Sequence, residues 1–525
     1  MTFEMNYPDR LNAADYFVDR NLREGRGGKA AVLCRGRSFT YSRIAEEMNR
    51  FGNALLEEGI RIEDRVAMLM LDTEFYPMVF FGAIKTGAVP ICLNTLMRPG
   101  DYLYFLNDSR ARVLVADEAL FHNIREICGE LKYLEKIIII DPGEDDPADF
   151  PDIVSYEDFV RDRATDLAPA ETGPDDACFW LYSSGSTGKP KGTIHLQHDM
   201  IFSAETYGRQ VLKIEEEDIC FSAAKLFFAY GLGNGLYFPF SVGATAVYMP
   251  DRPTPDSVFA TIEKYSPTLF FGVPTLYGAM LAQEGKINGV RLCISAGEAL
   301  PADIFHRWKE RHQVDILDGI GSTEIVHIYI SNRHDNIRPG STGQLVPGYE
   351  ARIVDDALRD VDPGGIGTLL IKGDSTAGYY WNKHEKTKAA MMGEWFNTDD
   401  KFYLDDEGFF FYVGRSDDML KVGGIWVSPI EVEACLIGHP DVLECAVVPG
   451  RDAENLVKPS AYVVANKGVK PSQALENEIK AYVKKELAHY KFPRWVRFVD
   501  SLPKTATGKV KRFELKKIEK QAALD

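Results

Sequence analysis

Apolar residues run in short blocks through the first 300 residues, and longer segments with helical periodicity lie between them. The apolar blocks predict buried strands, of which the clearest are residues 66–70, 136–140, 177–181, 268–272 and 292–295. Residues 42–59 have the spacing of an amphipathic helix and end on a glycine. Near-continuous apolar strands that alternate with helices predict an α/β fold built in layers around parallel sheet.

A different pattern begins near residue 400. Glycines at 364–367 and the aromatic run 409–413 predict hairpins, and hence a small barrel-like part within the large domain. Ser428, Pro429 and Glu431 have the spacing of a capping box that opens a helix. Strands at 444–448 and 461–465 and a helix at 472–487 are predicted to follow. We therefore expect an N-terminal domain of residues 1–416 and a small α+β C-terminal domain of residues 417–525.

The charge balance narrows the choice of partners. The 525 residues carry a formal net charge of −18, which argues against nucleic acid because a polyanion repels an acidic surface. The eight cysteines form no CxxC pair and mostly lie in apolar runs, as expected for reduced thiols of a cytosolic protein. The first residues lack a signal-peptide pattern, and no apolar stretch reaches roughly 18 residues. We expect a cytoplasmic protein without a membrane partner.

Residues 182–192 read Tyr-Ser-Ser-Gly-Ser-Thr-Gly-Lys-Pro-Lys-Gly and follow the predicted strand 177–181. Glycines let backbone N–H groups approach a polyanion, hydroxyls add donors, and lysines add positive charge. The pattern predicts a phosphate-binding loop. It differs from the Walker A spacing, because only two residues separate Gly185 from Gly188. A flexible surface loop is the alternative.

Four further clusters carry candidate chemistry. They are residues 295–298 (Ser-Ala-Gly-Glu), residues 318–324 (Asp-Gly-Ile-Gly-Ser-Thr-Glu), Asp399 and Asp400 with Arg415, and residues 503–509 (Pro-Lys-Thr-Ala-Thr-Gly-Lys). The Glu324 carboxylate could bind Mg²⁺ that bridges phosphates, and the Asp400 carboxylate could accept hydrogen bonds from two ribose hydroxyls. The Lys509 ammonium could act as a mobile cation that stabilises transition-state charge. The ordinary alternatives are an N-cap turn, an exposed acidic turn and a solvated tail residue, respectively.

Taken in order, these motifs resemble those of the adenylate-forming enzymes, which include acyl-CoA and aryl-CoA synthetases, firefly-type luciferases and peptide-synthetase adenylation domains. Ser-Ser-Gly-Ser-Thr-Gly-Lys-Pro-Lys-Gly is similar to the phosphate loop of that superfamily, and Gly-Ser-Thr-Glu to its second signature. Gly-Arg-Ser-Asp-Asp is similar to its hinge, and Pro-Lys-Thr-Ala-Thr-Gly-Lys to its terminal lysine motif. The resemblance covers residues 39–509.

The resemblance implies a role for each matching position. Catalysis would rest on Lys509, Thr323 and Glu324, with Glu324 also holding Mg²⁺. The positions implied for ATP are Ser183, Ser184, Gly185, Ser186, Thr187, Gly188, Lys191, Ala296, Gly297, Glu298, Asp318, Gly319, Ile320, Asp400 and Arg415. Those implied for the acid substrate are Phe228, Ala229, Tyr230, Gly321, His327 and Ile328. Those implied for CoA or the hinge are Asp417, Lys421, Gly423, Gly424, Trp426, Lys491 and Arg494.

Three positions depart from the pattern of the superfamily. Ile320 stands where an aromatic residue usually lies beside the adenine. Asp399 replaces the glycine of Thr-Gly-Asp, and Thr368 replaces the glutamate of Gly-Glu-Leu. None of these changes removes a charge that the chemistry requires.

The resemblance implies a reaction in two halves, with ATP and CoA as co-substrates. A carboxylate attacks the α-phosphorus of ATP and expels pyrophosphate, helped by Mg²⁺ at Glu324 and by the Lys509 ammonium. A thiol then attacks the acyl-adenylate and AMP leaves. The C-terminal domain is expected to rotate about Asp417 between the halves and to present Gly423, Gly424 and their neighbours. Lys491 and Arg494 would hold the CoA nucleotide, although a basic surface turn is equally compatible with the sequence.

The segment 225–233 occupies the position of the acid-pocket wall and carries Phe228, Ala229 and Tyr230. An uncharged aromatic wall suits a flat apolar acid, because burying the ring is favourable and no charge is left unpaired. His327 would contact the carboxylate or the ring edge, or pack in the core. The combination is most similar to benzoate–CoA ligases. A ligase for hydroxybenzoate, halobenzoate or another short acid, and a stand-alone module that loads a carrier protein, remain alternatives.

Two expectations about partners remain open at the level of sequence. A homodimer is compatible with the chain. A lysine acetyltransferase and deacetylase acting on Lys509 would switch the enzyme, because acetylation removes the cation.

Overall fold

The structure, a computed structural model, describes residues 5–141, 152–183, 189–415, 418–422, 425–452, 456–504 and 510–522. Two large sheets of mainly parallel strands build most of the chain before residue 345. The first has the spatial strand order Gln344–Leu345, Ile328–Ser331, Ile316–Gly321, Leu292–Ser295, Leu269–Gly272, Ile219–Ser222, Thr245–Tyr248, Ala30–Cys34, Arg37–Thr40. The second has the order Tyr379–Tyr380, Lys191–Leu196, Ala177–Ser183, Val89–Cys92, Arg65–Leu69, Val113–Asp117, Lys136–Ile140, Ile153–Ser155.

Smaller sheets follow along the chain, and their strands are antiparallel except for the parallel pair Val457–Ala465 and Trp495–Phe498. The barrel-like part expected around residues 364–413 is an antiparallel sheet with the order Glu350–Val354, Gly367–Lys372, Trp395–Leu404, Met391–Met392, and Phe410–Arg415 also pairs with Trp395–Leu404. A hairpin joins Leu420–Val422 to Ile425–Val427. The C-terminal sheet has the order Val442–Arg451, Val457–Ala465, Trp495–Phe498.

Helices cover the faces of these sheets. The α-helices are Arg20–Arg23, Tyr41–Glu57, Phe75–Lys85, Pro99–Ser109, Glu118–Arg125, Tyr156–Val160, Asp199–Ser203, Ala229–Leu232, Phe238–Val242, Pro255–Tyr265, Pro274–Leu281, Ala302–His312, His384–Ala390, Pro429–Ile437, Gln473–Glu486 and Arg512–Ala522. The π-helical segments are Asp15–Asp19, Ala204–Val211 and Gly233–Tyr237, and the 3₁₀ turns are Cys128–Glu130 and Thr323–Ile325.

The predicted α/β class is confirmed, and the local signals explain the elements. Thr40 caps the helix Tyr41–Glu57 by accepting a hydrogen bond from the backbone N–H of Arg43. Ser428 likewise accepts from the N–H of Glu431. The Glu431 carboxylate, however, accepts from Lys491 instead of completing the predicted box. The division at residues 416 and 417 lies outside the described residues and stays a prediction.

One predicted boundary is wrong in an informative way. The strand expected to end at Leu181 continues to Ser183, because its antiparallel partner Lys191–Leu196 pairs Ser183 with Lys191. The two ends of the predicted phosphate loop are therefore held together by a strand ladder. Residues 184–188, and with them Ser184, Gly185, Ser186, Thr187 and Gly188, lie outside the described residues.

Burial agrees with the composition. The side chains of the strand segment Ile137, Ile138, Ile139 and Ile140 are buried, as expected for a strand covered on both faces. The structure describes every cysteine, and all eight thiols are free, six of them buried. In the part of the chain that is described, no helix combines the length and the apolar character needed to cross a membrane.

Candidate active site

The segments predicted to bind the nucleotide meet at the carboxyl ends of two neighbouring strands. Leu292–Ser295 and Ile316–Gly321 run parallel, with Ser295 opposite Asp318. The loop that carries Ala296, Gly297 and Glu298 therefore starts beside Asp318, and the N–H of Leu300 donates to its carboxylate at 3.2 Å. Such strand ends are the usual ligand site of α/β sheets.

The Asp318 carboxyl, unlike a carboxyl at the protein surface, is mostly uncharged at neutral pH. Its side chain is buried, and burial raises the pKa of Asp318 to about 8. At neutral pH the carboxyl is therefore mostly protonated and can donate as well as accept a hydrogen bond.

Glu324 lies at the centre of a group of polar side chains from distant parts of the sequence. Its Oε1 accepts hydrogen bonds from Ser183 Oγ at 3.0 Å and from Tyr380 Oη at 2.8 Å. The Lys191 ammonium lies 3.6 Å from the same oxygen. The 3₁₀ turn Thr323–Ile325 holds the carboxylate in place, and the N–H of Ala377 donates to the Glu324 carbonyl at 2.8 Å.

Tyr380 contacts Glu324, and no motif in the sequence predicted its place in this group. It pairs with Thr193 across the antiparallel strands Tyr379–Tyr380 and Lys191–Leu196, and its ring lies 4.0 Å from the Lys191 ammonium. Burial and the Glu324 charge raise the pKa of Tyr380 well above its ordinary value, so the phenol remains a donor. Its only signal in the sequence is a Gly-Tyr-Tyr-Trp run (378–381) without charge.

The predicted ribose residues are cross-strand partners. Asp400 lies opposite Arg415 in the ladder, with 3.6 Å between Oδ1 and Nη1. Asp399, which replaces the glycine of the superfamily pattern, has a φ of +59°. A left-handed backbone explains why glycine suits this position and why aspartate is tolerated. Arg415 Nη2 lies 3.8 Å from Asp399 Oδ2.

The charges of the predicted ribose pair and of the Glu324 group both act on one buried phenol, that of Tyr329. Burial, together with the charges of Asp400 and Glu324, raises the pKa of Tyr329 well above its ordinary value. Tyr329 is fully buried in the strand Ile328–Ser331.

The predicted acid wall is aromatic, and its polar atoms are already bonded within the protein. The Tyr230 hydroxyl donates to the carbonyls of Gly272 and Ile294 at 3.1 and 3.0 Å. Phe228 precedes the short helix Ala229–Leu232 and packs against Phe227, with ring centroids 4.4 Å apart. The wall therefore presents carbon surface.

Lys225, at the start of the wall segment, makes its contacts with Asp251 and Asp72. Its ammonium donates to the carbonyl of Asp251 at 2.8 Å and lies 3.5 Å from the buried Asp72 carboxylate. The neighbouring N–H of Leu226 donates to the same aspartate at 3.2 Å. The positive charge of Lys225 is thus compensated by Asp72, which is not one of the wall residues.

His327 is a buried, neutral residue. Its Nε2 lies 3.1 Å from both the Tyr230 carbonyl and Asn234 Oδ1, and Nε2–H donates because both atoms are acceptors. Burial lowers the pKa of His327 to about 3. The ring packs against Phe238 with centroids 4.5 Å apart. Of the predicted roles, the structure favours packing and ring contact over pairing with a carboxylate as a cation.

Gly321 and Ile328 lie opposite each other where the chain folds back around the Glu324 turn. A Cβ on Gly321 would lie 2.4 Å from the His327 carbonyl oxygen, so only glycine fits without movement. Gly319 and Ile320 pair with the strand Ile328–Ser331, and Ile320 is half-buried. Gly321 therefore acts by permitting close backbone approach.

The predicted C-terminal residues are described only in part. Lys509, Asp417, Gly423 and Gly424 lie outside the described residues. The backbones of Lys421 and Trp426 are paired in the hairpin. Lys491 forms an ion pair with Glu431, Nζ to Oε1 2.6 Å, and Arg494 is exposed. Since the Lys491 charge is already compensated, its role toward CoA stays a prediction.

The sequence matches known families along most of its length. Residues 18–381 match the family described as AMP-binding enzyme, and residues 431–509 match the AMP-binding enzyme C-terminal domain. The chain belongs to the AMP-binding enzyme family. The predicted resemblance to adenylate-forming enzymes is thereby confirmed.

Individual relatives of this AMP-binding enzyme are similar over almost the whole chain. A benzoate–CoA ligase of Thauera aromatica is 49% identical, over 97% of this chain and 96% of the relative. The anthranilate CoA ligase AuaEII in complex with anthranoyl-AMP is 43% identical with a TM-score of 0.94, over 99% of each chain. A benzoate CoA ligase from Burkholderia xenovorans LB400 is 45% identical with a TM-score of 0.88, over 96% of this chain and all of that one. The solved structures also confirm the predicted large N-terminal and small C-terminal domains.

Proposed function

We propose that the protein is an ATP-dependent benzoate–CoA ligase. It forms benzoyl-AMP and pyrophosphate in the first half-reaction, then benzoyl-CoA and AMP in the second. The observation that carries the choice of acid is the wall around Tyr230, whose polar atoms are bonded to the protein itself. The similarity to benzoate–CoA ligase over nearly the full length supports the same reaction.

The wall favours an unsubstituted aromatic ring for physical reasons. A benzoate ring buried against Phe228 and Tyr230 gains the free energy of apolar burial, roughly 25 cal/mol per Å² of apolar surface removed from water. The neutral His327 adds no charge that an apolar ring would leave unpaired. A bulky wall closes the space that a long fatty chain would need.

In the nucleotide site, Lys191 and Ser183 would bind the β- and γ-phosphates together with Ser184, Ser186 and Thr187. Thr323 would contact the α-phosphate, and Asp400 with Arg415 would bind the ribose hydroxyls. The adenine would lie against the segments at Ala296–Glu298 and Asp318–Ile320, where the two strand ends meet. The proposal is supported by the convergence of these segments around Glu324.

The donors at Glu324 fit a magnesium ion that is shared with substrate. Within the described ranges, no cluster of three or more His, Cys, Asp or Glu side chains could hold a metal by itself. Mg²⁺ is usually held by one or two carboxylates plus phosphate oxygens, which is the donor set that Glu324 and ATP would supply. When bound, the ion would neutralise phosphate charge. Lys191 supplies a fixed charge at the same place.

Adenylation brings two anions together. A carboxylate oxygen of benzoate bonds to the α-phosphorus while the bond to the leaving pyrophosphate breaks. Lys191 and Lys509 would compensate the charge on the two sides of the transferred group, and Thr323 would fix the α-phosphate in line. Lys509 would act only in this half.

Thioester formation would use a second arrangement of the C-terminal domain, residues 417–525. We propose that this domain turns about Asp417 and replaces Lys509 with the segment from Lys421 to Trp426. Gly423 and Gly424 would let the pantetheine arm of CoA pass close to the backbone. The CoA thiolate then attacks the carbonyl carbon of benzoyl-AMP, and AMP leaves with its bonding electrons on the phosphate oxygen.

A pyrophosphate-release assay across a panel of acids tests the choice of substrate. The panel is benzoate, its hydroxy and fluoro derivatives, anthranilate and short aliphatic acids. We expect the highest kcat/KM for benzoate or a ring of nearly the same size. A preference for a short aliphatic acid, or for a carrier protein over CoA as thiol, would contradict the proposal.

A further inference from the structure

His195 and Asp199 form a buried pair directly behind the phosphate site. Both side chains have an exposed fraction of 0%. His195 Nδ1 lies 2.8 Å from Asp199 Oδ2, and His195 Nε2 lies 2.8 Å from the backbone carbonyl oxygen of Thr323. The ring stacks on Phe179, with centroids 4.8 Å apart and an interplanar angle of 19°. His195 follows the predicted phosphate loop by three residues, and Asp199 lies four residues further on.

The donors and acceptors of this pair fix the orientation of the ring. A backbone carbonyl can only accept, so Nε2 must carry the hydrogen of the bond to Thr323. Asp199 Oδ2 also accepts from the N–H of Leu196 at 3.1 Å, which anchors the carboxylate to the strand. The imidazole is thus held on both nitrogens and on its face. A flipped or rotated ring would lose both bonds in a site without water access.

The contact joins two parts of the proposed nucleotide site. His195 belongs to the strand Lys191–Leu196, which returns from the phosphate loop. Thr323 opens the 3₁₀ turn that carries Glu324. The bond between them therefore sets the spacing between Lys191 on one segment and Thr323 and Glu324 on the other. Ser183 and Tyr380 hold the Glu324 side chain, whereas His195 holds the backbone carbonyl of Thr323.

We propose that His195, oriented by Asp199, is a positioning residue for the adenylation half-reaction. It holds the Thr323 carbonyl so that the Thr323 side chain and Glu324 stay aligned with Lys191 and the α-phosphate. This inference rests on the proposed ATP chemistry. It does not depend on which acid is activated. A buried pair that merely stabilises the fold would affect both half-reactions and every replacement of the ring alike.

Two variants of His195 distinguish a positioning role from a purely structural one. Each variant keeps one of the two hydrogen bonds of the ring, either the bond to Thr323 or the bond to Asp199. In His195→Gln the amide nitrogen replaces Nε2 and can still donate to Thr323. In His195→Asn the amide nitrogen replaces Nδ1 and can donate only to Asp199. We expect His195→Asn to lower the kcat of adenylation by roughly 10- to 100-fold, the usual effect of losing such an orienting contact. His195→Gln should rescue most of that loss, and the KM for the acid should change little in either.

The measurement is pyrophosphate–ATP exchange, with thioester formation from supplied acyl-adenylate as the second readout. Calorimetric titration with ATP gives a third readout that does not need turnover. The inference predicts weaker ATP binding in His195→Asn than in His195→Gln and equal thioester formation in both. Equal losses in the two variants, in either half-reaction, would overturn it. If the wild type activates no acid, the proposed function fails, while the ATP titrations still decide the role of His195.

A measurement that keeps His195 in place covers the case in which a His195 variant does not fold. With ¹⁵N-labelled histidine, the ring of His195 should show an Nε2-bound proton that exchanges slowly with solvent. The other nine histidines can be replaced in turn to assign the signal. A ring with an unprotonated Nε2 would overturn the inference directly.

Discussion

Single residues in this site are defined by contacts that the chain makes over long sequence distances. Glu324 is a motif residue, yet Ser183 and Tyr380, which donate to it, are 141 and 56 residues away. Lys191 is directed toward the same carboxylate. The two lysines at the end of the predicted phosphate loop consequently differ in their contacts, since the Lys189 ammonium lies over the Tyr104 ring, 4.9 Å from its centroid.

Replacing Lys191 by alanine should lower the rate of adenylation by roughly 100-fold, because a charge aimed at the phosphate site is removed. Lys189→Ala is the matched control from the same loop and should stay within about threefold of the wild type. Pyrophosphate–ATP exchange measures both. Equal losses of exchange rate in the two variants would contradict this prediction, because they would show that the position of the lysine in the loop does not matter.

His327 gives the protein a dependence of stability on pH. Its pKa is lowered to about 3 in the folded state from an ordinary value of 6.5, so the unfolded chain binds more protons between these values. The free energy of unfolding should therefore fall as pH drops below about 6.5. From pH 7 to pH 5 this contribution amounts to roughly 2 kcal/mol, which His327→Gln should remove. Denaturant unfolding of both proteins at the two pH values tests this, and parallel losses would contradict it.

At the scale of elements, the register of the strands explains which residues meet. Ser295 opposite Asp318, Asp400 opposite Arg415, and Tyr380 opposite Thr193 are cross-strand pairs. Of the strands that carry these pairs, the sequence predicted Leu292–Ser295 and, as the aromatic run 409–413, Phe410–Arg415. It did not predict Lys191–Leu196, Tyr379–Tyr380 or Trp395–Leu404.

The strand register and the turn geometry could not be predicted from the sequence pattern. Tyr380 and His195 sit in short strands whose alternation resembles any other buried strand, so only the pairing with distant segments brings them to the site. A His at 195 and an Asp four residues later are a weak signal without the fold. Asp399 is a further case, because its positive φ lies where the ladder with Gly367–Lys372 shifts register between Thr368 and Leu370.

The left-handed backbone at Asp399 gives a prediction at this scale. Asp399→Gly should be more stable than Asp399→Ala by about 1 kcal/mol, because a Cβ is disfavoured at a φ of +59°. Both variants lack the carboxylate, so the loss of the contact with Arg415 cancels in the comparison. Urea unfolding gives the difference. An alanine variant as stable as the glycine variant would mean that this backbone relaxes.

At the scale of the whole molecule, the proposed C-terminal domain serves the two half-reactions differently. Lys509→Ala should lower adenylation by roughly 100-fold or more, because it removes the mobile cation. Thioester formation from supplied benzoyl-adenylate should remain largely intact. Acetylation of Lys509 should have the same effect as the alanine variant.

A matched control for this prediction lies in the same segment. The Lys504 ammonium is held by Glu444 at 2.5 Å, and Lys504→Ala should leave both half-reactions within about threefold of the wild type. Rapid-quench kinetics of each half separate the outcomes. Equal loss of both halves in Lys509→Ala would contradict rotation of the domain between two arrangements.

The central claim is that one active site makes benzoyl-AMP and passes the benzoyl group to CoA. A single-turnover experiment with the wild-type protein, radiolabelled benzoate and ³²P-labelled ATP follows the acyl and the nucleotide products by chromatography. Without CoA, benzoyl-AMP and pyrophosphate should accumulate in equal amounts on the enzyme. On addition of CoA, the label should move to benzoyl-CoA as AMP is released one for one. Formation of ADP and phosphate, or benzoyl-AMP that persists in the presence of CoA, would contradict the account.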